Sequence, residues 1–180
     1  MSVARSAAVP LRWVFAYGSL MWQPEFEPKD QRRGVIQGYH RSLCLYSWYH
    51  RGTREKPGLV LGLDAGGRCD GVVQAYDLRD EPTILADLDR RELPDDSYHR
   101  RCVVVDTADG AVDAWAYVVN HDSRQYAGAL PEPELLRLVR QGTGGRGRNV
   151  DYVTQTVEHL RDCGIADPVL EKLVEALAGD

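Results

Sequence analysis

Apolar residues follow one another without interruption near the start of the chain, from Trp13 to Tyr17, and the run ends abruptly at Gly18-Ser19. Such a run is typical of a strand buried on both faces, and the Gly-Ser pair predicts a tight turn after it. Gly18 can adopt backbone conformations closed to other residues, and successive N–H groups in such a turn can form an anion-binding nest. The stretch 13–22 is therefore a candidate pocket floor, although the same pattern fits an ordinary strand-to-turn junction.

Further along, apolar and polar residues alternate in a way that predicts a strand-rich region up to residue 119. We expect a surface loop over 24–33, a hairpin turn at Ala65-Gly66-Gly67, and strands over 34–47, 59–64, 71–78, 98–105 and 111–119. The charged loop over 49–58 has two interpretations, a cationic rim for an acidic substrate or a solvated connection.

The spacing changes to that of a helix after Glu81, where Pro82 suits a first turn and apolar residues recur at positions 84, 85 and 88. Four residues later the same face reaches Glu92, just before Pro94 ends the helix. A carboxylate there opposes the helix dipole. We interpret Glu92 as a positioned catalytic acid, and the alternative is a simple ion pair with Arg91 or Arg100.

The C-terminal third is predicted to be helical. Helices are expected from Pro133, from Asn149 as N-cap to Gly164, and from Asp167 as N-cap onward. The glycine-rich loop over 142–149 is not a P-loop, because it follows a helix and lacks the Lys-Ser/Thr ending.

Composition narrows the function classes. With 180 residues, 43% of them hydrophobic, the chain can bury a substantial core, and its net charge of −5 argues against nucleic-acid or anionic-membrane partners, although the run 146–148 is a local anion-site candidate. No apolar run reaches membrane-spanning length, and no signal-peptide centre is present, so we expect a cytoplasmic protein. Histidine and cysteine spacings indicate no metal site, and the four cysteines are expected to be buried, reduced thiols.

Four short motifs occur in a fixed order, and together they resemble the ChaC family of γ-glutamylcyclotransferases, which act on glutathione. The motifs are Tyr17-Gly18-Ser19-Leu20 with Trp22, Leu88-Asp89 with Arg91-Glu92, Tyr126 with Gly128, and Gly147-Arg148-Asn149 with Asp151-Tyr152. The resemblance covers about residues 13–160. It implies a mixed α/β (α+β) γ-glutamylcyclotransferase-like fold, a small, partly closed β-barrel with helices around it. We expect one such domain over 13–180, after an N-terminal extension over 1–12 that is poorly ordered.

The resemblance also implies the reaction and its site. The α-amino group of a γ-glutamyl unit attacks its own side-chain amide, which releases 5-oxoproline and, from glutathione, cysteinylglycine. Glu92 matches the family's catalytic glutamate, and the turn Tyr17-Gly18-Ser19-Leu20 matches its substrate-holding loop, for the substrate carboxylate or the developing oxyanion. No cofactor or metal is implied.

Two residues and one segment leave alternatives open. Tyr126 and Arg148 are candidate substrate-binding residues, or else a core tyrosine and a loop-stabilising arginine. The segment 93–97, Leu-Pro-Asp-Asp-Ser, departs from the family's Gly-Gly-Tyr, and Leu59 stands where some members are basic. Another γ-glutamyl peptide or amine is therefore an alternative substrate, and a non-catalytic binding module is a further alternative.

Overall fold

Long strands and a layer of helices make up the computed structural model, which describes residues 9–179. The strands are β1 (Leu11–Ala16), β2 (Asp30–Ser47), β3 (Gly58–Asp77), β4 (Tyr98–Thr107) and β5 (Gly110–Val119), with the two-residue strands β6 (Thr143–Gly144) and β7 (Gly147–Arg148). The helices are α1 (Glu81–Glu92), α2 (Glu132–Gln141), α3 (Asn149–Asp162) and α4 (Pro168–Ala178), and short 3₁₀ turns span Ser19–Met21 and Leu78–Asp80.

The five long strands form a closed barrel in the order β1-β3-β2-β4-β5, and parallel pairing of β1 with β5 closes it. Along β1 the side chains alternate between two cores. Trp13 and Phe15 pack among residues from the other strands, whereas Val14 and Ala16 pack in a core to which all four α-helices contribute. The predicted mixed α/β barrel fold is confirmed, and the barrel is closed rather than partly closed.

The predicted hairpin at Ala65-Gly66-Gly67 is wrong, because β3 is one continuous strand of 20 residues. Both of its halves pair antiparallel with β2, and the register shifts between Gln37 and Tyr39. Gly66 and Gly67 have φ values of +94° and +74°, and Gly38 opposite has +85°. These glycines therefore bend a two-stranded ribbon by a bulge instead of reversing the chain.

The predicted loop over 24–33 also ends too late. Its last part, 30–33, belongs to β2 and pairs with residues 72–75 of β3. Alternating exposure along this part of β2 explains why its polar composition resembled that of a loop.

At the helix ends, one capping prediction is confirmed and one is wrong. The side chain of Asp167 accepts a hydrogen bond from the Leu170 N–H at 3.1 Å and caps α4, as predicted. Asn149 is not an N-cap, since α3 begins with it and Arg148 occupies the cap position. The buried Asn149 amide instead binds the main chain of β3, accepting from Leu59 N at 2.6 Å and donating to Leu59 O at 2.7 Å.

Other sequence predictions have mixed outcomes. All four cysteines are free thiols, but only Cys44 and Cys69 are buried, so the expectation of burial is wrong for the exposed Cys102 and holds in part for Cys163. Strand β1 begins at Leu11, inside the predicted N-terminal extension over 1–12. Residues 1–8 of that extension lie outside the described part of the chain. Within residues 9–179, no helix is long and apolar enough to cross a membrane.

Candidate active site

A pocket opens where the turn after β1 meets the end of α1. It contains about 400 Å³ of space free of protein atoms, including solvent at its mouth. The lining residues are Tyr17, Gly18, Ser19, Leu20, Leu61, Glu92, Tyr98, Tyr117 and Tyr152. The structure therefore brings together the predicted turn and the predicted catalytic glutamate, which lie far apart in sequence.

The turn is fixed from both sides by long-range hydrogen bonds. The Tyr17 hydroxyl donates to Tyr117 O at 2.8 Å, and Arg41 Nε donates to Tyr17 O at 2.6 Å. Beyond the turn, Gln74 Nε2 donates to Leu20 O at 2.9 Å. The first N–H groups of the short 3₁₀ turn, those of Ser19 and Leu20, have no acceptor within that turn, as at any helix start.

Gly18 does not use the left-handed conformation that glycine favours, since its φ is −142°. A Cβ atom at this position would meet Leu61 Cδ1 at 3.7 Å, an ordinary contact. Gly18 and Leu61 both line the pocket. Glycine here therefore keeps space in the pocket free without adopting the left-handed conformation.

Glu92 is the last residue of α1, as predicted, and its side chain is 19% exposed. Burial raises the pKa of its carboxyl above the usual value of 4.5, the Arg91 guanidinium lowers it, Glu25 raises it and Arg146 lowers it, in that order of size. Glu92 Oε1 lies 3.1 Å from Arg91 Nε. The carboxylate thus pairs with Arg91 and also faces the pocket, so the two interpretations of its role do not exclude each other. Arg100 pairs with Asp89 instead.

Three lining tyrosines come from separate elements, β4, β5 and α3, and have different hydrogen-bonding states. The hydroxyl of Tyr98 donates to Leu61 O at 2.6 Å, and that of Tyr117 donates to Asp89 Oδ1 at 2.7 Å. The Tyr152 hydroxyl accepts from Leu61 N at 3.2 Å. Within residues 9–179, no acceptor contacts the Tyr152 hydroxyl proton. Burial raises the pKa of Tyr152 to about 12, so this hydroxyl stays a donor near neutral pH.

Sequence reasoning missed Leu61, Tyr98 and Tyr117 and assigned no role to Tyr152. Tyr98 and Tyr117 alternate with other side chains along their strands, which could have placed them on one face. Nothing local to either strand indicated that this face meets the β1 turn.

The structure does not bring Tyr126 or Arg148 to the lining of this pocket. The Tyr126 hydroxyl donates to Asp64 Oδ2 at 3.0 Å, and its ring stacks on His121 with 4.5 Å between the ring centres. Arg148 is exposed, and its carbonyl oxygen lies 3.4 Å from Arg51 Nη1. These contacts are those of a partly buried structural tyrosine and of an exposed residue at the end of β7, and a substrate contact for either remains a prediction.

Part of the charged loop lies beside the pocket. Arg51 Nη1 donates to Arg146 O at 2.6 Å, and the Arg51 guanidinium carbon is 5.2 Å from the centre of the Tyr152 ring. Since Tyr152 lines the pocket, this cation is close to its wall. Among the described residues, no group of three His, Cys, Asp or Glu side chains is placed to hold a metal ion.

Comparison with known proteins adds three findings. The family model described as ChaC-like protein matches residues 12–179. The chain is 33% identical to glutathione-specific gamma-glutamylcyclotransferase 1 of Mus musculus, over 92% of this chain and 77% of that protein, and 32% identical to the glutathione-specific gamma-glutamylcyclotransferase of Escherichia coli, over 90% and 71%. The crystal structure of a glutathione-specific γ-glutamyl cyclotransferase from yeast superposes with a TM-score of 0.83 at 20% identity, covering 93% of this chain and 95% of that one, which establishes the shared fold.

Proposed function

The chain belongs to the ChaC-like family, and from that premise we propose that it cyclises the γ-glutamyl unit of glutathione, releasing 5-oxoproline and cysteinylglycine. The observation that carries the proposal is the placement of Glu92 in one pocket with the Tyr17-Gly18-Ser19-Leu20 turn. Mouse and Escherichia coli relatives whose names specify glutathione support the choice of substrate.

The first step is a proton transfer. The α-ammonium group of the substrate must lose a proton before its nitrogen can attack, and the Glu92 carboxylate accepts it. A base works best when its pKa lies near the working pH, and burial moves the pKa of Glu92 upward in that direction.

The second step forms the ring. The free α-amine attacks the γ-amide carbon, a new C–N bond forms, and the carbonyl oxygen becomes an oxyanion. The Glu92 proton then passes to the departing nitrogen, the original C–N bond breaks, and the carbonyl forms again. The ring nitrogen still carries a second proton, which the Glu92 carboxylate takes and returns to the released amine of cysteinylglycine, so that the amine leaves as an ammonium group and Glu92 ends ionised. This intramolecular attack is fast when the substrate is held folded, which a narrow pocket lined by four tyrosines favours.

Donors among the lining residues of the pocket suit the substrate's negative charges. The N–H groups of Ser19 and Leu20 and the Tyr152 hydroxyl are candidates for the γ-glutamyl carboxylate and for the oxyanion. Removing one oxyanion donor commonly lowers the rate about 10²–10³-fold. We propose these donors as the substrate-binding set of the pocket, together with the Tyr17 and Gly18 backbone.

The test is product identification. Purified protein is incubated with glutathione, and 5-oxoproline is quantified by mass spectrometry. We expect Glu92→Gln to lower the rate by about 10²–10⁴-fold, because the proton shuttle is lost. The matched control is Glu27→Gln. Glu27 is an exposed carboxylate a few residues after the turn in sequence, so this variant should keep wild-type activity. Equal 5-oxoproline formation by wild type and Glu92→Gln would refute the assignment.

A second candidate is cyclisation of another γ-glutamyl peptide or amine, which the acidic segment 93–97 after Glu92 favours. Competition among γ-glutamyl dipeptides, γ-glutamyl amines and glutathione decides between the two. Turnover of glutathione alone excludes the second candidate. Binding of glutathione without any product would instead indicate a non-catalytic binding module.

A further inference from the structure

Arg91 connects two lining residues of the pocket and the main chain of Gln23 through one guanidinium group. Its Nη2 donates to Ser19 Oγ at 2.8 Å, its Nε lies 3.1 Å from Glu92 Oε1, and its Nη1 donates to Gln23 O at 2.6 Å. The side chain is 18% exposed, so these contacts are made mostly away from solvent. One side chain therefore joins the turn after β1 to the carboxylate at the end of α1.

The geometry of guanidinium makes this connection rigid. Its donors lie in one plane at fixed angles, so Ser19 Oγ and Glu92 Oε1 are held at a defined separation. A lysine ammonium would supply the same charge from a single atom. It could not reach these two groups and the main chain of residue 23 in the same geometry.

Glu25 competes for the same cation. Its Oε1 lies 2.6 Å from Arg91 Nη1, and its side chain is 36% exposed. The guanidinium is thus shared between the more exposed carboxylate of Glu25 and the carboxylate of Glu92 in the pocket. Neutralising Glu25 leaves the full positive charge of Arg91 to Glu92, and removing Arg91 leaves two carboxylates near each other.

We infer that Arg91 is the positioning residue of this site, holding the Ser19 turn and the Glu92 carboxylate in register, and that Glu25 is the counter-charge that sets how strongly Arg91 acts on Glu92. This inference rests on the proposed function for its catalytic consequence. Its electrostatic consequence concerns Glu92 alone and can be measured without any turnover.

The other charged and titratable groups near Glu92 stay constant in this comparison. These groups are Tyr17 at the end of β1, Tyr98 on β4, Tyr152 on α3 and Arg146 in the segment before β7. Burial keeps the three tyrosines neutral near physiological pH, since it raises the pKa of Tyr152 to about 12 and those of the other two well above 10.

The experiment compares Arg91→Ala, Arg91→Lys and Glu25→Gln with wild type. The pKa of Glu92 is read from its side-chain carboxyl resonance by ¹³C NMR, with Glu92→Gln to assign the signal, and kcat/KM for 5-oxoproline formation is measured across pH. Arg90→Ala and Glu27→Gln are the matched controls, because Arg90 pairs with Asp87 on the exposed side of α1 and Glu27 is exposed.

Opposite shifts are the expected result. Arg91→Ala should raise the pKa of Glu92 and move the acidic limb of the rate profile to higher pH, and Glu25→Gln should lower it and move the limb to lower pH. At pH values where Glu92 is fully ionised, Arg91→Ala should still lose about tenfold to a hundredfold in kcat/KM, because the turn and the base are misaligned. Arg91→Lys should keep the acidic limb of the rate profile at the wild-type pH, and it should lose part of the wild-type kcat/KM.

Two outcomes overturn the inference: shifts of the same sign in Arg91→Ala and Glu25→Gln, or an Arg91→Ala profile that matches that of Arg90→Ala. Failure of the proposed function looks different, since wild type itself then makes no 5-oxoproline. In that case the NMR titrations of the same variants still decide whether Arg91 and Glu25 oppose each other at Glu92.

Discussion

Glu92 occupies a position that local rules disfavour. It is an anion in the last turn of α1, where the helix dipole favours cations, and it lies on the face that continues the buried Leu88. Burial raises the pKa of its carboxyl more than Arg91 lowers it. A residue that is unfavourable for the helix and placed at a pocket is better explained by function than by stability.

This conflict gives a prediction for folding stability. The pKa of Glu92 in the folded protein lies above that in the unfolded chain, so the folded state holds the proton more tightly, and the free energy of unfolding falls as pH rises from near 4.5 through the raised value. Glu92→Gln lacks this charge. We expect it to match wild type at pH 4 and to be at least as stable at pH 8.

Urea denaturation of both proteins at the two pH values measures the difference. Glu27→Gln keeps Glu92, so its stability should follow that of wild type at both pH values. A Glu92→Gln protein that is clearly less stable than wild type at pH 8 would mean that the pair with Arg91 outweighs the burial of the charge.

At the scale of elements, a buried arginine ties the pocket turn to the C-terminal helix. Arg41 on β2 is 4% exposed, and it donates to Tyr17 O, to Asp70 O at 2.6 Å and to Asp167 Oδ2 at 2.9 Å. Asp167 is also the N-cap of α4. The position of the turn therefore depends on a helix that lies about 150 residues later in the chain.

We predict that Asp167→Ala destabilises the protein by about 3–5 kcal/mol, because it leaves the Arg41 charge buried without its partner. Loss of the cap adds about 1 kcal/mol. Asp167→Asn should cost less, since asparagine still caps the helix. Asp162→Ala, at an exposed site on α3, is the control and should change stability by no more than about 0.5 kcal/mol.

Urea denaturation gives the stabilities, and kcat/KM for 5-oxoproline formation reports on the turn. We expect Asp167→Ala to lower kcat/KM even where it is fully folded, because Arg41 loses one of its anchors. Wild-type activity in a folded Asp167→Ala protein would show that the Arg41 contact does not set the geometry of the turn.

The whole molecule is organised as a closed barrel whose strands share one core with the four helices, and its two buried thiols lie in two other clusters. Cys69 lies in the barrel core and Cys44 in a separate buried cluster, whereas Cys102 is exposed on β4. Burial raises the pKa of Cys44 to about 12 and that of Cys69 to about 11. Both thiols are therefore protonated and shielded in the folded protein.

Because the thiolate is the reactive form, we predict that Cys102 reacts first with a disulfide reagent at pH 8 and that half-buried Cys163 reacts more slowly. Cys44 and Cys69 should react only when denaturant opens the barrel. Counting modified thiols over time by mass spectrometry checks this, and Cys102→Ser should remove the fast phase. Fast reaction of Cys69 in native buffer would contradict a closed barrel.

The sequence by itself determined the features that are encoded within a few neighbouring residues. An unbroken apolar run and a Gly-Ser pair predicted β1 and its turn, helical spacing and Pro94 predicted that α1 ends at Glu92, and Asp167 before Pro168 predicted the cap of α4. These features depend on local backbone preferences and on side-chain periodicity, which act over one or two turns of chain.

Only the tertiary structure decided which distant groups meet. The Gly66-Gly67 pair gave a plausible hairpin locally, but the long ladder of β2 with β3 overrides it, because each half of β3 gains a full set of main-chain partners from β2. Asn149 resembled an N-cap until Leu59, 90 residues away, proved to be its partner. The tyrosine-lined pocket and the Arg91–Ser19 contact depend in the same way on closure of the barrel, a long-range arrangement that no short stretch of sequence encodes.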